Sequence, residues 1–279
     1  MADTLERERI DLLFVIGGDG TLKGAHALSQ ELRRRRARIG VVGVPKTIDN
    51  DVSFVDKTFG YETAVEQARM AVDAVHAEAT GSRNCVGVVK LMGRDSGFVA
   101  AATTLASEDV NFCLVPEVPF RMEGEAVLLA ALERRLHERN HAVVVVAEGC
   151  GASLVGEGAE RDASGNVRYA SAEADIGPYL RDAIRAHFES LKQPITVKYI
   201  DPSYMIRSVR ANATDAVYAS SLARHAVHAG MSGRTDLLIG RMHRVFTHVP
   251  LALATREKRR IDPHGELWHA VLESTGQAA

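Results

Sequence analysis

Leu12-Leu13-Phe14-Val15-Ile16-Gly17-Gly18-Asp19-Gly20-Thr21 is the stretch that decides the fold of this chain. Its apolar half is short and uninterrupted, as suits a strand buried on both faces of a parallel sheet. Gly17, Gly18 and Gly20 then allow a sharp turn and a close backbone approach to a ligand, since none carries a Cβ. A helix is expected to start near Thr21 or Leu22 with Thr21 as its cap, so that unpaired N–H groups favour an anion such as phosphate. Asp19 hangs in the same turn, and a carboxylate repels a phosphate unless a cation lies between them. Asp19 therefore implies Mg²⁺, which commonly combines one or two carboxylates with waters and substrate phosphates.

The same logic repeats after a second apolar run, Ile39 to Val44. Pro45 stops that strand, and Lys46-Thr47-Ile48-Asp49-Asn50-Asp51 follows with a hydroxyl and two acids. In extended backbone, residues two apart share a face, so Asp49 and Asp51 point into one cleft unless a turn intervenes. Two neighbouring carboxylates invite a division of roles, one as base near an acceptor hydroxyl and the other near the metal or a sugar. The paired loops read as phosphoryl transfer.

Outward from these loops, strand-like runs alternate with helical stretches, the pattern of parallel α/β layers. The strand candidates are 12–16, 39–44, 85–91, 111–115, 142–147, 195–200 and 237–240. Tyr61 to Ala79 reads as one long helix with an apolar stripe, and a second helix is expected near Ile176 to Leu191. Ala159 to Ala170, rich in charge, Gly and Asn, reads as an exposed loop. The chain has 279 residues, 46% of them hydrophobic, enough for a real core and about two domains. A formal net charge of -2 gives no electrostatic case for nucleic acid. Cys85, Cys113 and Cys150 lack close paired spacing and suggest free thiols in a reducing compartment, the cytoplasm. No apolar run approaches the length needed to span a bilayer, so no membrane partner is expected.

Together with Met92-Gly93-Arg94-Asp95-Ser96-Gly97-Phe98, Lys198-Tyr199-Ile200-Asp201-Pro202-Ser203-Tyr204-Met205-Ile206-Arg207 and the late Thr275-Gly276-Gln277, these loops resemble the phosphofructokinase family. The later motifs are similar to its plant-like and trypanosomal ATP-dependent branch. The resemblance implies two Rossmann-like three-layer α/β domains, the N-terminal one truncated. It places 1–60 plus 207–255 in a nucleotide and Mg-binding domain and 61–206 plus 256–279 in a sugar-phosphate domain. It also implies a homo-oligomer, dimer or tetramer.

Residue by residue, the resemblance makes Asp49 the base for the 1-hydroxyl of fructose 6-phosphate, Asp19 the Mg²⁺-linked acid and Asp51 a second acid. Thr47 and Arg94 match groups that hold the transferred phosphoryl, where charge gathers on equatorial oxygens. Gly18, Asp19, Gly20, Thr21 and Lys46 match the ATP-binding set. Met92, Gly93 and Glu148 match sugar-lining positions, and Lys198, Tyr204 and Arg207 match the sugar and 6-phosphate contacts. Gly20 leaves room for the α-phosphate of ATP, whereas Lys46 alone could hold pyrophosphate; the combination resembles ATP users.

Two departures stand out. Cys85 falls where bacterial members carry an arginine donated across a subunit interface, so that contact requires Lys90 or Arg83 instead. The family also opens with a glycine-rich loop and about a hundred residues ahead of the first motif, whereas only Met1 to Ile10 precede the strand here. An exposed sheet edge and an incomplete ATP site are therefore expected, as in a fragment, a misplaced start or a shortened subunit. The alternatives are a pyrophosphate-dependent enzyme, a non-catalytic sugar-phosphate-binding subunit, and, on the first motif alone, a lipid or NAD kinase. His137-Glu138-Arg139-Asn140-His141 matches a zinc-protease pattern, but His141 is expected to begin a strand, which separates the two rings. Arg33 to Arg36 and Arg38 read as a solvated helix end.

Overall fold

The computed structural model describes residues 1–122, 127–150, 159–161, 167–169 and 175–277. They form two compact units. The first holds Met1–Thr63 and Arg210–Arg259, and the second holds the described residues from Ala64 to Val209 and from Arg260 onward.

In the first unit, β1 (Leu12–Gly17), β2 (Gly40–Pro45), β9 (Leu237–Met242) and β10 (Val245–Pro250) form one sheet in that order. The first three are parallel and β10 is antiparallel. Successive side chains of a strand face opposite ways, so Val41 joins the core under α2 (Asp19–Arg34), with Leu22, Ala25 and Leu32. Val42 and Val44 join the core under α8 (Ala213–Met231), with Leu222, Ala226 and Ala229. The short helices α1 (Ala2–Arg7) and α9 (Leu251–Ala254) add Ala2, Leu5 and Leu251 to the first of these clusters. Burying a leucine such as Leu22 contributes about 1.5–3 kcal/mol.

The α8 end of this unit rests on a buried acid. Asp215 is fully buried, and one of its oxygens accepts both the Thr63 N–H at 2.7 Å and the Thr63 hydroxyl at 2.6 Å. Asn212 caps the helix by accepting the Asp215 N–H at 2.9 Å.

Strand β1 is the sheet edge, with β2 as its one strand partner among the described residues. Phe14 is 37% and Ile16 59% exposed along it, so the expected open edge is present and β1 is not buried on both faces as its apolar run suggests. Strand β10 was not legible in sequence. It returns through a two-residue turn in which His243 (φ 49°) and Arg244 (φ 68°) are left-handed without Gly or Asn to signal it. The Asp56 carboxylate supplies what the turn lacks, accepting the His243 and Arg244 N–H groups at 3.1 and 3.3 Å.

The second unit is built on a fully parallel sheet ordered β4 (Phe112–Leu114), β5 (His141–Ala147), β3 (Cys85–Leu91), β8 (Thr196–Ile200). One face packs under α5 (Leu128–Arg139) and α6 (Ile176–Ser190), through Leu132, Leu180, Ile184 and Phe188 against Val86, Val88, Val144 and Val146. Helices α3 (Tyr61–Thr80), α4 (Phe98–Ser107) and α10 (Glu266–Thr275) complete the unit with the five-residue α7 (Ser203–Arg207). Gly87 is required in β3, because a Cβ there would lie 2.1 Å from a Val75 methyl of α3. The side chain of Gln277 acts as an extra strand residue, accepting the Cys113 N–H at 2.7 Å and donating to the Cys113 carbonyl at 3.2 Å.

Two expectations need correction or completion, and a third holds. Helix α2 starts at Asp19 with Gly18 at its N-cap, and Thr21 lies within the first turn rather than capping it. A Cβ on Gly17 would lie 2.5 Å from Thr21 Cβ, so that side chain is packed back on the strand end. Within the segment read as a loop, β6 (Ala159–Arg161) pairs antiparallel with β7 (Val167–Tyr169); the rest of it lies outside the described residues. Asn140 is the left-handed C-cap of α5 and His141 opens β5, so the two histidines of the zinc-like pattern sit on different elements.

The arginine run ends α2 as expected of a helix terminus. Arg34 and Arg35 both bond Glu31, and Arg35 also bonds Asp3. Those contacts, Arg34 first, pull the Glu31 carboxyl down to about 2. Cys85, Cys113 and Cys150 are buried free thiols. Burial pushes Cys113 up to about 12 and raises the other two. No helix among the described residues is long and apolar enough to cross a membrane.

Candidate active site

In the first unit the two acid-bearing loops leave neighbouring parallel strands at the same level, where Gly17 pairs with Pro45. The Lys46 N–H donates to the Gly17 carbonyl at 3.0 Å and carries the pairing one step further. A Cβ on Gly18 would stand 3.3 Å from Thr47 Cβ, so the glycine lets the loops close on each other. Asp19 is the first residue of α2, where the positive end of the helix dipole favours a carboxylate. Lys23, one turn later, bonds it at 2.8 Å. Gly20, Thr21 and Lys46 are exposed around this loop pair.

Asp49 and Asp51 do not share an environment. Asn50 between them is left-handed (φ 53°), so the alternation of an extended strand is broken. Its side chain accepts the Thr58 N–H at 3.0 Å and holds the turn. The Thr47 hydroxyl accepts the Asp49 N–H at 3.1 Å, and Asp49 is half-buried. Asp51 is 4% exposed; one oxygen lies 3.3 Å from Lys258 Nζ and the other has no hydrogen-bond partner among the described residues. Burial pushes the Asp51 carboxyl up, Lys258 pulls it back, and the nearby charge of Asp19 adds to the rise. A buried unpartnered carboxylate oxygen that also feels the charge of Asp19 suits a cation, and the donor type suits Mg²⁺.

Lys258 was missed in sequence because it sits in a charged run, Arg256 to Arg260, that reads as solvent-facing. The segment is strapped to the acid loop: Val52 bridges Lys258, the Arg259 N–H donates to the Asp51 carbonyl at 2.9 Å, and Ser53 Oγ donates to the Glu257 carbonyl at 2.8 Å. Lys258→Met is expected to move the Asp51 carboxyl further up, a shift that a carbon-13 NMR titration of aspartate carboxyls reads directly. An unmoved Asp51 signal would refute charge compensation by Lys258.

In the second unit, Met92 is buried and Gly93 is left-handed (φ 132°) directly after β3. A Cβ on Gly93 would lie 2.3 Å from the Ser96 carbonyl oxygen, so glycine is obligatory. Arg94 Nε donates to Glu148 Oε1 at 3.2 Å across the ends of β3 and β5. Gly149 makes that approach possible, because a Cβ there would stand 1.8 Å from the Arg94 carbonyl oxygen. Glu117 anchors the far side of the loop, accepting the Gly97 N–H on both oxygens at 3.0 Å and the Ile261 N–H at 2.9 Å. Neither Gly149 nor Glu117 carried a sequence signal.

The sugar-phosphate candidates divide. Tyr204 (90% exposed) and Arg207 project from α7, and neither has a partner among the described residues. Lys198 does not join Arg94 and Glu148. It pairs with Gly87, four residues or roughly 13 Å before the end of β3, and bonds Glu78 at 2.9 Å. Lys90 is not available to replace the missing bacterial arginine, since Asp175 and Asp201 hold its ammonium.

The sequence model described as phosphofructokinase matches residues 1–230. The chain belongs to the phosphofructokinase family. It is 48% identical to an ATP-dependent 6-phosphofructokinase of Borreliella burgdorferi, covering 99% of this chain and 63% of that protein. It is 46% identical to the ATP-dependent 6-phosphofructokinase of Trypanosoma brucei brucei, covering 99% of this chain and 56% of that one. The chloroplastic ATP-dependent 6-phosphofructokinase 5 of Arabidopsis thaliana is 42% identical over 99% of this chain and 51% of its own. This phosphofructokinase chain thus spans about half to two-thirds of the length of these relatives. The solved pyrophosphate-dependent phosphofructokinase of Marinobacter aquaeolei superposes with a TM-score of 0.76 at 21% identity, over 100% of this chain and 70% of that one. Pichia pastoris phosphofructokinase in the T-state gives 0.70 at 21% identity, over 98% and 27%. These likenesses establish the phosphofructokinase fold.

Proposed function

We propose that this chain serves phosphoryl transfer from MgATP to the 1-hydroxyl of fructose 6-phosphate, giving fructose 1,6-bisphosphate and MgADP. The observation that carries the reading is the loop pair of the first unit. A glycine-rich turn and a second loop leave adjacent strand ends, and they hold Asp19, Asp49 and Asp51 in three different environments.

Asp49, half-buried and backed by the Thr47 hydroxyl, takes the proton from the sugar hydroxyl as general base. Asp51 is engaged by Lys258 and orients the loop rather than exchanging the proton. Asp19 would hold Mg²⁺ on the donor phosphates, and the ion would supply the charge compensation that a carboxylate beside a phosphate requires. Gly18, Gly20, Thr21 and Lys46 line the donor loops. In the second unit, Arg94 steadies charge on the transferred phosphoryl and Glu148 both orients Arg94 and bonds sugar hydroxyls. Met92 and Gly93 shape the sugar side, Tyr204 and Arg207 receive the sugar phosphate, and Lys198 joins them by exchanging Glu78 for the phosphate.

The donor rests on Gly20 beside Lys46. Turnover with ATP and not with pyrophosphate, assayed side by side, is the expected result; the opposite outcome overturns the donor assignment. Lys198→Ala and Arg207→Ala are each expected to weaken fructose 6-phosphate binding about tenfold or more by calorimetry, as loss of a charged phosphate contact does. Normal affinity in both variants would remove the sugar-phosphate assignment. A homo-oligomer, dimer or tetramer, in a reducing compartment such as the cytoplasm belongs to the same proposal, and light scattering checks the assembly state.

A further inference from the structure

Lys90 stands one residue before the end of β3 with its side chain 11% exposed. Its ammonium donates to Asp175 Oδ2 at 2.7 Å and lies 2.8 Å from Asp201 Oδ2. Each carboxylate spends its other oxygen on main chain. Asp175 Oδ1 accepts the Gly177 N–H at 3.1 Å and caps α6. Asp201 Oδ1 accepts the Ser203 N–H at 3.1 Å, and the Ser203 hydroxyl as well, where α7 begins. One cation therefore ties an interior strand to the first turns of two helices.

We propose that Lys90 is a positioning residue: through Asp201 it sets where α7 begins, and so where Tyr204 and Arg207 stand. Helix α7 cannot place itself. It has five residues, too few to offset the cost of helix nucleation, and Ile206 is its one buried residue. Its location must come from its ends, and Asp201 is the polar group that holds its first N–H. Lys90 is spoken for by two carboxylates, so a phosphate ligand is not its role. Take the ammonium away and Asp175 and Asp201 become like charges at close range in partly buried surroundings. Turning Asp201 toward water relieves that repulsion and releases Ser203.

The significance for substrate rests on the reading of Tyr204 and Arg207 as sugar-phosphate contacts; the mechanical claim does not. Hydrogen exchange with mass spectrometry on the full chain separates the two. In Lys90→Met, amides of 203–207 are expected to exchange about tenfold faster, the scale of coupling within one hydrogen-bonded charge network, with α8 unchanged. Asp201→Asn, which keeps an acceptor for Ser203 but loses the charge facing Lys90, is expected to move the same amides in the same direction. Lys90→Arg is expected to restore protection. In parallel, the Kd for fructose 6-phosphate is expected to rise about tenfold in Lys90→Met and to recover in Lys90→Arg. Unchanged exchange at 203–207 in both Lys90→Met and Asp201→Asn overturns the proposal, as does loosening spread evenly over β3 and α6. Should Lys90→Met not fold, Asp201→Asn and Lys90→Arg decide it by the same readout. A wild-type chain that does not bind fructose 6-phosphate sinks the substrate reading, while the exchange data still decide the role of Lys90.

Discussion

Replacing Asp49 with alanine is expected to lower turnover of fructose 6-phosphate by about 10²–10⁴-fold, the range of a lost general base, while leaving sugar-phosphate affinity within about twofold. That split follows from the loop geometry. The Asp49 N–H is held by the Thr47 hydroxyl, so truncating the side chain leaves the backbone in place. Asp51 cannot step in, since it is 4% exposed and one of its oxygens is engaged by Lys258. Steady-state kinetics beside calorimetry checks both halves. Retained turnover refutes the base assignment, and a parallel loss of affinity would mean that Asp49 binds rather than reacts.

Gly149→Ala carries the other large effect, and it is steric. An added Cβ would lie 1.8 Å from the Arg94 carbonyl oxygen and 2.5 Å from the carbonyl carbon, both backbone atoms that no rotamer change can move. The Gly93–Arg94 turn must shift, and the Arg94–Glu148 contact at 3.2 Å shifts with it. Overpacking of this kind costs about 1–3 kcal/mol, and more where backbone must yield. Urea denaturation measures the loss. Turnover is expected to fall further than stability alone explains, because a misplaced cation forfeits part of the roughly 2.7–4 kcal/mol that one such contact lends a transition state. Stability within about 0.5 kcal/mol of the parent would show that the loop tolerates the methyl and would remove the packing claim.

Most of the framework could be read from local pattern. Valine-rich runs marked β2, β3 and β5, because strands covered on both faces leave little room for polar alternation. The glycine-rich turn and the Thr47-to-Asp51 segment announced themselves through residues that only special backbone or chemistry requires. Boundaries were less legible. Thr21 looked like a cap, but its side chain packs over Gly17, and the helix takes its first turn at Asp19. Strand β10 was hidden because its turn is held by Asp56, nearly two hundred residues away in sequence, and not by turn-forming residues of its own.

By itself, the order of residues determined which loops bear acids, that the first of them turns on glycine and that parallel strands alternate with helices, since each depends on neighbours a few positions apart. Tertiary structure alone decided how those groups are charged and aimed. Lys258 reaches Asp51, Lys90 gathers Asp175 and Asp201, and Lys198 turns to Glu78 and away from the level of Arg94. The physical reason is that burial and Coulombic pairing act through space over a few ångströms, whereas these partners are separated along the chain by stretches that carry no local sign of one another.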